Sequence, residues 1–234
     1  MIGAGRAGGA LAGALAEAGW RVEPPLGRGD DLAPAADGVD LLVIATPDAA
    51  VAGVASAVAP VDDTVVTHLA GSLGLDVLAD HPRSAALHPL VALPSADVGS
   101  QRLLGAWFGV AGDPLVHGVV DALGGRWFEV ADEHRAAYHA AAVIASNHLV
   151  AVLGQAERVA EVAGVPFEAY LDLVRATVDN VAELGPAAAL TGPAARGDEA
   201  TLDRHRAVLA AMDDELAAYE AGVSLARRLS ALPR

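Results

Sequence analysis

Gly3-Ala4-Gly5-Arg6-Ala7-Gly8 sets three glycines at the spacing G-x-G-x-x-G, directly after the apolar pair Met1-Ile2 and directly before a helical run. No other feature constrains the fold as tightly. The first glycine permits a tight strand-to-helix turn, the second lets an outside group approach the backbone, and the third lets helix and strand pack closely. Backbone N–H groups at the helix start then face an anion. The pattern predicts a turn that holds the pyrophosphate of a dinucleotide, with Gly3, Ala4, Gly5, Arg6, Ala7 and Gly8 lining it.

Downstream, short apolar runs alternate with amphipathic stretches, as expected of parallel strands joined by helices. Strands are predicted near Met1-Ile2, 20–23, 40–45, 64–69, 85–87, 106–111 and 126–130. Helices are predicted over 6–18, stopped by Gly19, and over 49–58 and 114–123. From Asp132 the periodicity turns helical, broken at Gly164-Val165-Pro166, Gly185-Pro186 and Gly192-Pro193, with further helices over 168–183 and 198–229. The expected fold is α/β: a Rossmann-like, mostly parallel sheet over 1–131, followed by an all-α domain over 132–234.

Composition removes several function classes. Thirty acidic residues against fifteen basic ones give a net charge of −15, which repels nucleic acid and anionic membranes. Without cysteine there is no disulfide, thiolate zinc site or cysteine nucleophile. Every basic residue is arginine, so neither a Schiff base nor a lysine acid can operate. The stretch 136–156 lacks Asp, Glu and Arg but carries His139, Ser146, Asn147, His148 and Gln155, and is expected to be a buried helix rather than a membrane span. No basic segment with an apolar core precedes the glycine turn, so the cytoplasm is the expected location.

In open α/β sheets, ligands collect beyond the carboxyl ends of the strands. Those positions hold Thr46-Pro47-Asp48, His68 to Ser72, and His88-Pro89-Leu90. Thr46, Pro47, His68 and Gly71 are expected to line the cofactor, while Ser72 and His88 are candidates for orienting substrate and moving a proton. The same residues also suit helix caps and strand-end hydrogen bonds. A metal site on His68 and His88 has no compact ligand spacing, and none is expected. For the ribose end, Glu23 lies at the distance expected of a residue binding ribose hydroxyls, and Arg28 can hold a 2′-phosphate. Arg28 tilts the expectation to NADP over NAD.

In the helical half, His139, Ser146 and Asn147 fall toward one side at ~100° per residue, with Tyr138 almost opposite Asn147. His139 and Asn147 join the catalytic candidates. In the loop 189–198, Thr191 and Arg196 are placed to bind an anionic substrate group, or Arg196 pairs with Asp198 to fix the loop.

The GAGRAG turn, TPD at 46–48, HLAGS at 68–72, HPL at 88–90, YHAAAVIASN at 138–147 and ALTGPAARGD at 189–198 together resemble one bacterial family. Its members join a Rossmann-like NADP-oxidoreductase domain to a C-terminal helical domain of unknown function. More distantly the chain is similar to pyrroline-5-carboxylate reductase, ketopantoate reductase, the deazaflavin-dependent NADP reductases and the 6-phosphogluconate dehydrogenase class. The resemblance implies a nicotinamide cofactor on the first domain, substrate in an interdomain cleft, and a homodimer through the helical domain. One departure matters. Several relatives place a lysine one turn before an asparagine, and if Asn147 is that asparagine the lysine's position holds Val143. The expected activity is hydride transfer at a C=O or C=N bond of a small, carboxylate-bearing substrate; the alternative is a dinucleotide-binding sensor without catalysis.

Overall fold

The computed structural model describes residues 1–231, which fall into two compact units, Met1–Asn147 and a second beginning at His148. In the first unit α1 (Arg6–Glu17) precedes β1 (Leu41–Ile44), α2 (Asp48–Ala57), β2 (Val65–His68) and a 3-10 turn at Leu75–Leu78. Then come β3 (Ser84–Pro89), α3 (Ala96–Leu103), β4 (Trp107–Gly112), α4 (Leu115–Ala122) and β5 (Arg126–Glu129). The sheet order is β1-β2-β3-β4-β5, parallel throughout except for the antiparallel β3–β4 pair.

β1 is apolar on both faces because both are covered. Leu42 and Ile44 join Val51, Ala55, Val66 and Leu78 in one core, while Val43 joins Leu11, Leu15, Val65, Leu87 and Phe108 in the other. Successive residues of a strand point to opposite faces, so one four-residue strand feeds both cores. A fully buried leucine such as Leu11 contributes ~2 kcal/mol or more from apolar burial. α1 ends as expected at Gly19, whose φ of +88° and the Trp20 N–H to Leu15 carbonyl bond close the last turn.

The strand expected at Met1-Ile2 is reduced to isolated bridges, Ile2 lying parallel between Leu26 and Ile44. Ile2 N–H donates to Val43 and Leu26 N–H to Met1. No strand forms over 20–23; the pairing falls on Leu26, after Pro24-Pro25, since a proline has no N–H for a ladder. α3 was not anticipated. Its signal was local: the Ser95 hydroxyl accepts the Val98 N–H at the helix start.

A long helical stretch begins with a 3-10 turn at Asp132–His134 and α5 (Arg135–Val143), passes through a π-helical turn at Ile144–His148, and continues as α6 (Leu149–Val162). At 31 residues it is long and apolar enough to cross a membrane by length and composition. The burial expected of 136–156 is not found among the described residues: Ile144, Val150 and Val152 are 60%, 69% and 58% exposed. Sparse charge signals an apolar environment but does not say whether the same chain provides it.

In the second unit α6 is followed by α7 (Glu168–Leu184), α8 (Pro186–Ala189), α9 (Pro193–Arg196), α10 (Glu199–Leu209) and α11 (Glu215–Ser230). The single helical run expected over 198–229 is interrupted before α11, where Asp214 adopts a φ of +60°. Ala160, Leu202, Leu209 and Val223 are the buried apolar residues of the second unit among those described. Arg158 pairs with the buried Glu215.

Candidate functional site

The glycine turn distinguishes what the fold needs from what it leaves free. Gly3 has a φ of +96°, and a Cβ there would stand 2.8 Å from the Ala45 carbonyl oxygen. At Gly8 a Cβ would stand 2.1 Å from the Gly3 oxygen and 2.9 Å from Ala45 Cβ. Packing therefore explains both. Gly5, the N-cap of α1, has an ordinary φ of −69° and no atom within 4 Å of where its Cβ would be. Its bareness serves nothing in the fold and leaves the backbone open to an outside group.

Ala4, Gly5 and Arg6 are exposed and Ala7 is half-buried against the core. α1 has neither a capping side chain nor an acidic residue in its first turn, so its free N–H groups and positive dipole end meet solvent. Beside the turn, Thr46 Oγ1 is buried without a hydrogen-bond partner among the described residues. Pro47 is exposed at the start of α2.

At the edge beside Ile2, Leu26 accepts the Gly3 N–H, and the loop Gly27-Arg28-Gly29 follows at once. Arg28 is exposed and has no ion-pair partner among the described residues. Glu23 lies before Leu26 and pairs with Arg21 at 2.7 Å.

Beyond β2 and β3 a histidine cluster forms. His88, at the end of β3, faces Gly109 across the antiparallel pair. A Cβ on Gly109 would stand 2.8 Å from the Tyr138 hydroxyl, so this glycine makes the room in which Tyr138 reaches His88. The Tyr138 oxygen lies 2.6 Å from His88 Nδ1. The His139 ring sits edge-on to His88, centroids 5.9 Å apart. Gly71 closes the group: a Cβ there would be 2.7 Å from His139 Cδ2 and 2.9 Å from His88 Nε2. Burial first, then the neighbouring His139 ring and the Arg135 guanidinium, pulls the His88 pKa down to about 4. Burial pushes the Tyr138 phenol up to about 12. Both are uncharged at neutral pH. A phenol donates better than a neutral imidazole and an imidazole nitrogen accepts better than a phenol oxygen, so Tyr138 donates to Nδ1. His88 therefore carries its proton on Nε2.

Three neighbours brace this cluster. His68 is fully buried, its Nε2 donating to the Gly74 oxygen at 3.1 Å, and burial lowers its pKa. It anchors the turn that carries Gly71 and Ser72. The exposed Ser72 donates its hydroxyl to Asp48 Oδ2 at 3.1 Å. Asp132 Oδ2 accepts the Leu75 N–H at 2.9 Å, and its Oδ1 lies 3.5 Å from Arg135 Nε. Arg135 is wholly buried with no hydrogen-bond acceptor for any of its three nitrogens among the described residues.

Helical phase alone was expected to place His139, Ser146 and Asn147 on one side. A π-helical turn covers 144–148; His139, before it, is half-buried in the cluster, while Ser146 and Asn147, within it, are exposed like every residue from 144 to 150. The Ser146 hydroxyl lies 2.7 Å from the Ala142 oxygen and 2.9 Å from Asn147 Oδ1, leaving the Asn147 amide nitrogen free to donate. Sequence reasoning missed Tyr138 and Arg135, whose only signal was their place within one turn of His139.

In the second unit Thr191 and Arg196 are both exposed, Arg196 closing α9 before the left-handed Gly197. The alternative in which Arg196 pairs with Asp198 is not realised. Asp198 instead accepts the Thr201 N–H at 3.1 Å and caps α10.

A family model described as a domain of unknown function (DUF2520) matches residues 109–225. None of the curated proteins matches the chain. The fold is that of a Bacteroides fragilis protein provisionally named an NADP oxidoreductase, with a TM-score of 0.80 at 22% identity over 97% of this chain and 96% of that one. A reductive aminase from Aspergillus terreus, solved with NADPH and ethyl-5-oxohexanoate, gives 0.72 at 16% identity over 97% and 92%. The 1-pyrroline-5-carboxylate reductase of Streptococcus pyogenes gives 0.62 at 14% over 97% and 96%. The shared fold is a Rossmann-like domain followed by helices.

Proposed function

Since this chain belongs to the DUF2520 family, we propose that it is an NADP-dependent oxidoreductase that reduces a C=O or C=N bond of a small molecule. The observation that carries this reading is Gly5, bare at the open start of α1 where packing does not require it. The unpartnered Thr46 Oγ1 beside the turn fits a further contact to the same ligand. Fold relatives solved with NADPH support the choice of cofactor.

The turn from Gly3 to Gly8 would hold the pyrophosphate, with Thr46, Pro47 and Gly71 along the cofactor, His68 bracing that wall, and Arg28 on the 2′-phosphate. When bound, the dinucleotide supplies hydride to the substrate carbon. Gly71, His88 and His139 form the floor against which a substrate lies. His88 presents Nε2–H as an uncharged donor, an electrophile rather than an acid, and His139 moves the proton. Ser72 and the free amide of Asn147 orient the substrate.

We keep 1–131 as the dinucleotide-binding domain and 132–234 as the substrate and dimerisation domain. Thr191 and Arg196 in the second unit have the chemistry to hold a carboxylate. The exposed apolar residues of the long helical stretch support a homodimer. Titrating purified protein with NADPH and NADH by fluorescence tests the reading, and no binding of either at millimolar concentration would sink it.

The absence of lysine favours a second reading, a dinucleotide-binding sensor without turnover. It predicts NADPH binding with no oxidation across a broad panel of ketones and imines.

A further inference from the structure

Resting on the reductase reading above, we propose that the site is built for an uncharged carbonyl group, whose oxygen is bonded by His88 Nε2–H, and that it rejects a protonated imine. The groups around the substrate heteroatom set this preference. His88 is a donor there, because Tyr138 occupies its Nδ1 at 2.6 Å. Arg135, one turn before Tyr138 and His139, is a permanent cation with no exposure, 3.5 Å from Asp132 Oδ1, and none of its nitrogens has a hydrogen-bond acceptor among the described residues. It precedes Tyr138, whose hydroxyl is 2.6 Å from His88 Nδ1, and its charge lowers the pKa of His68, His88 and Tyr138.

The carboxylates do not offset it. Asp132, 3.5 Å from Arg135 Nε, has a side chain 47% exposed and already accepts the Leu75 N–H. Asp48 is exposed and accepts from Ser72. Water screens both, while Arg135 acts through the poorly screening interior. The other ionisable groups near His88 are His68, His139 and Tyr138, none of them an anion at neutral pH. A cationic C=N–H group would meet a donor and a buried positive charge.

A carbonyl gains from both. With a reduced nicotinamide bound, its C–H bond would break as the new substrate C–H bond forms, leaving the nicotinamide oxidised, and the π electron pair of C=O would move onto oxygen. The oxyanion forms against His88 Nε2–H within the field of Arg135. It then takes one proton, delivered from water by His139, to give the alcohol.

Two unreactive probes separate the classes: isobutyramide, an uncharged carbonyl, and pyrrolidinium, a cation of imine size. Each is titrated by calorimetry into the protein, with and without NADP. Isobutyramide is expected to bind at least tenfold more tightly than pyrrolidinium, and the Arg135→Met variant to narrow that ratio at least threefold. Equal or tighter binding of pyrrolidinium overturns the proposal, as does an unchanged ratio in a folded Arg135→Met protein. If that variant does not fold, nitrogen NMR of the native His88 ring decides. A single neutral Nε2–H form at pH 7 supports the proposal, and an imidazolium or an Nδ1–H form overturns it. Failure of the dinucleotide reading appears separately, as absence of NADPH binding, and leaves the probe ratio measurable in the free protein.

Discussion

The Tyr138 hydroxyl lies 2.6 Å from Nδ1 of His88, joining the start of the long helical stretch to the end of β3. The contact fixes the ring's tautomer, and burial keeps it uncharged with a pKa near 4 against 6.5 for a free histidine. In the unfolded chain His88 takes its proton at the higher pH. Between pH 6.5 and 4 the unfolded state therefore binds more protons, and stability falls as pH falls through that window, while above it this group contributes no pH dependence. Going from pH 7.5 to 4.5, His88→Asn should lose about 2 to 3 kcal/mol less stability than the native protein in urea unfolding. Equal losses would show that His88 titrates normally.

Gly109 is the room that this contact occupies, since a Cβ would stand 2.8 Å from the Tyr138 oxygen and 2.9 Å from its ring. Gly109→Ala is expected to cost about 1 to 3 kcal/mol through overpacking. It should also displace Tyr138, so that the NMR signature of a single His88 tautomer is lost. Retention of that signature would show that Tyr138 does not hold the ring.

Gly5 and Gly8 should separate binding from folding. Gly8→Ala drives a methyl into the Gly3 carbonyl at 2.1 Å and should lower the melting temperature sharply. Gly5→Ala meets nothing and has a permitted φ, so stability should change by no more than ~0.5 kcal/mol. Its NADPH affinity should nevertheless fall at least tenfold, read by fluorescence titration. Unaltered affinity would remove the turn from the cofactor site.

Arg28, beyond Leu26, has no ion-pair partner among the described residues, whereas Glu23 is engaged by Arg21. Arg28→Ala should weaken NADPH by roughly tenfold, as for loss of one charge-assisted contact of ~1.5 kcal/mol or more. NADH affinity should stay unchanged. A parallel loss of both would mean that Arg28 does not read the 2′-phosphate.

Val150 and Ile144, 69% and 60% exposed, belong to the apolar stretch offered for self-association. Val150→Asp should leave the circular dichroism spectrum intact and shift sedimentation from dimer to monomer. A native protein that sediments as a monomer would refute the homodimer.

Much of the molecule was legible before folding. The run Leu41–Ile44, the Gly19 stop of α1 and the helical pattern after Asp132 each followed from local rules, because strand burial, left-handed glycines and helical periodicity are written in adjacent residues. The glycine turn was legible too, but not the distinction within it. That Gly3 and Gly8 serve packing and Gly5 does not depends on where Ala45 lies.

The histidine pair shows the same limit. Sequence identified His88 and His139 as candidates, yet it set Tyr138 aside on helical phase and gave no weight to Arg135. Tyr138 reaches His88 only because α5 packs over Gly109 of β4, and no local pattern announces that packing. Sequence by itself determined β1, the start and Gly19 stop of α1, the helical character after Asp132 and, through the missing lysine, the exclusion of one class of chemistry, while α3 and the loss of a strand over 20–23 were not in it. Only the tertiary structure decided the state of His88. A pKa depends on burial and on groups brought near by folding, and here burial comes first, followed by His139 and Arg135, both distant from His88 along the chain.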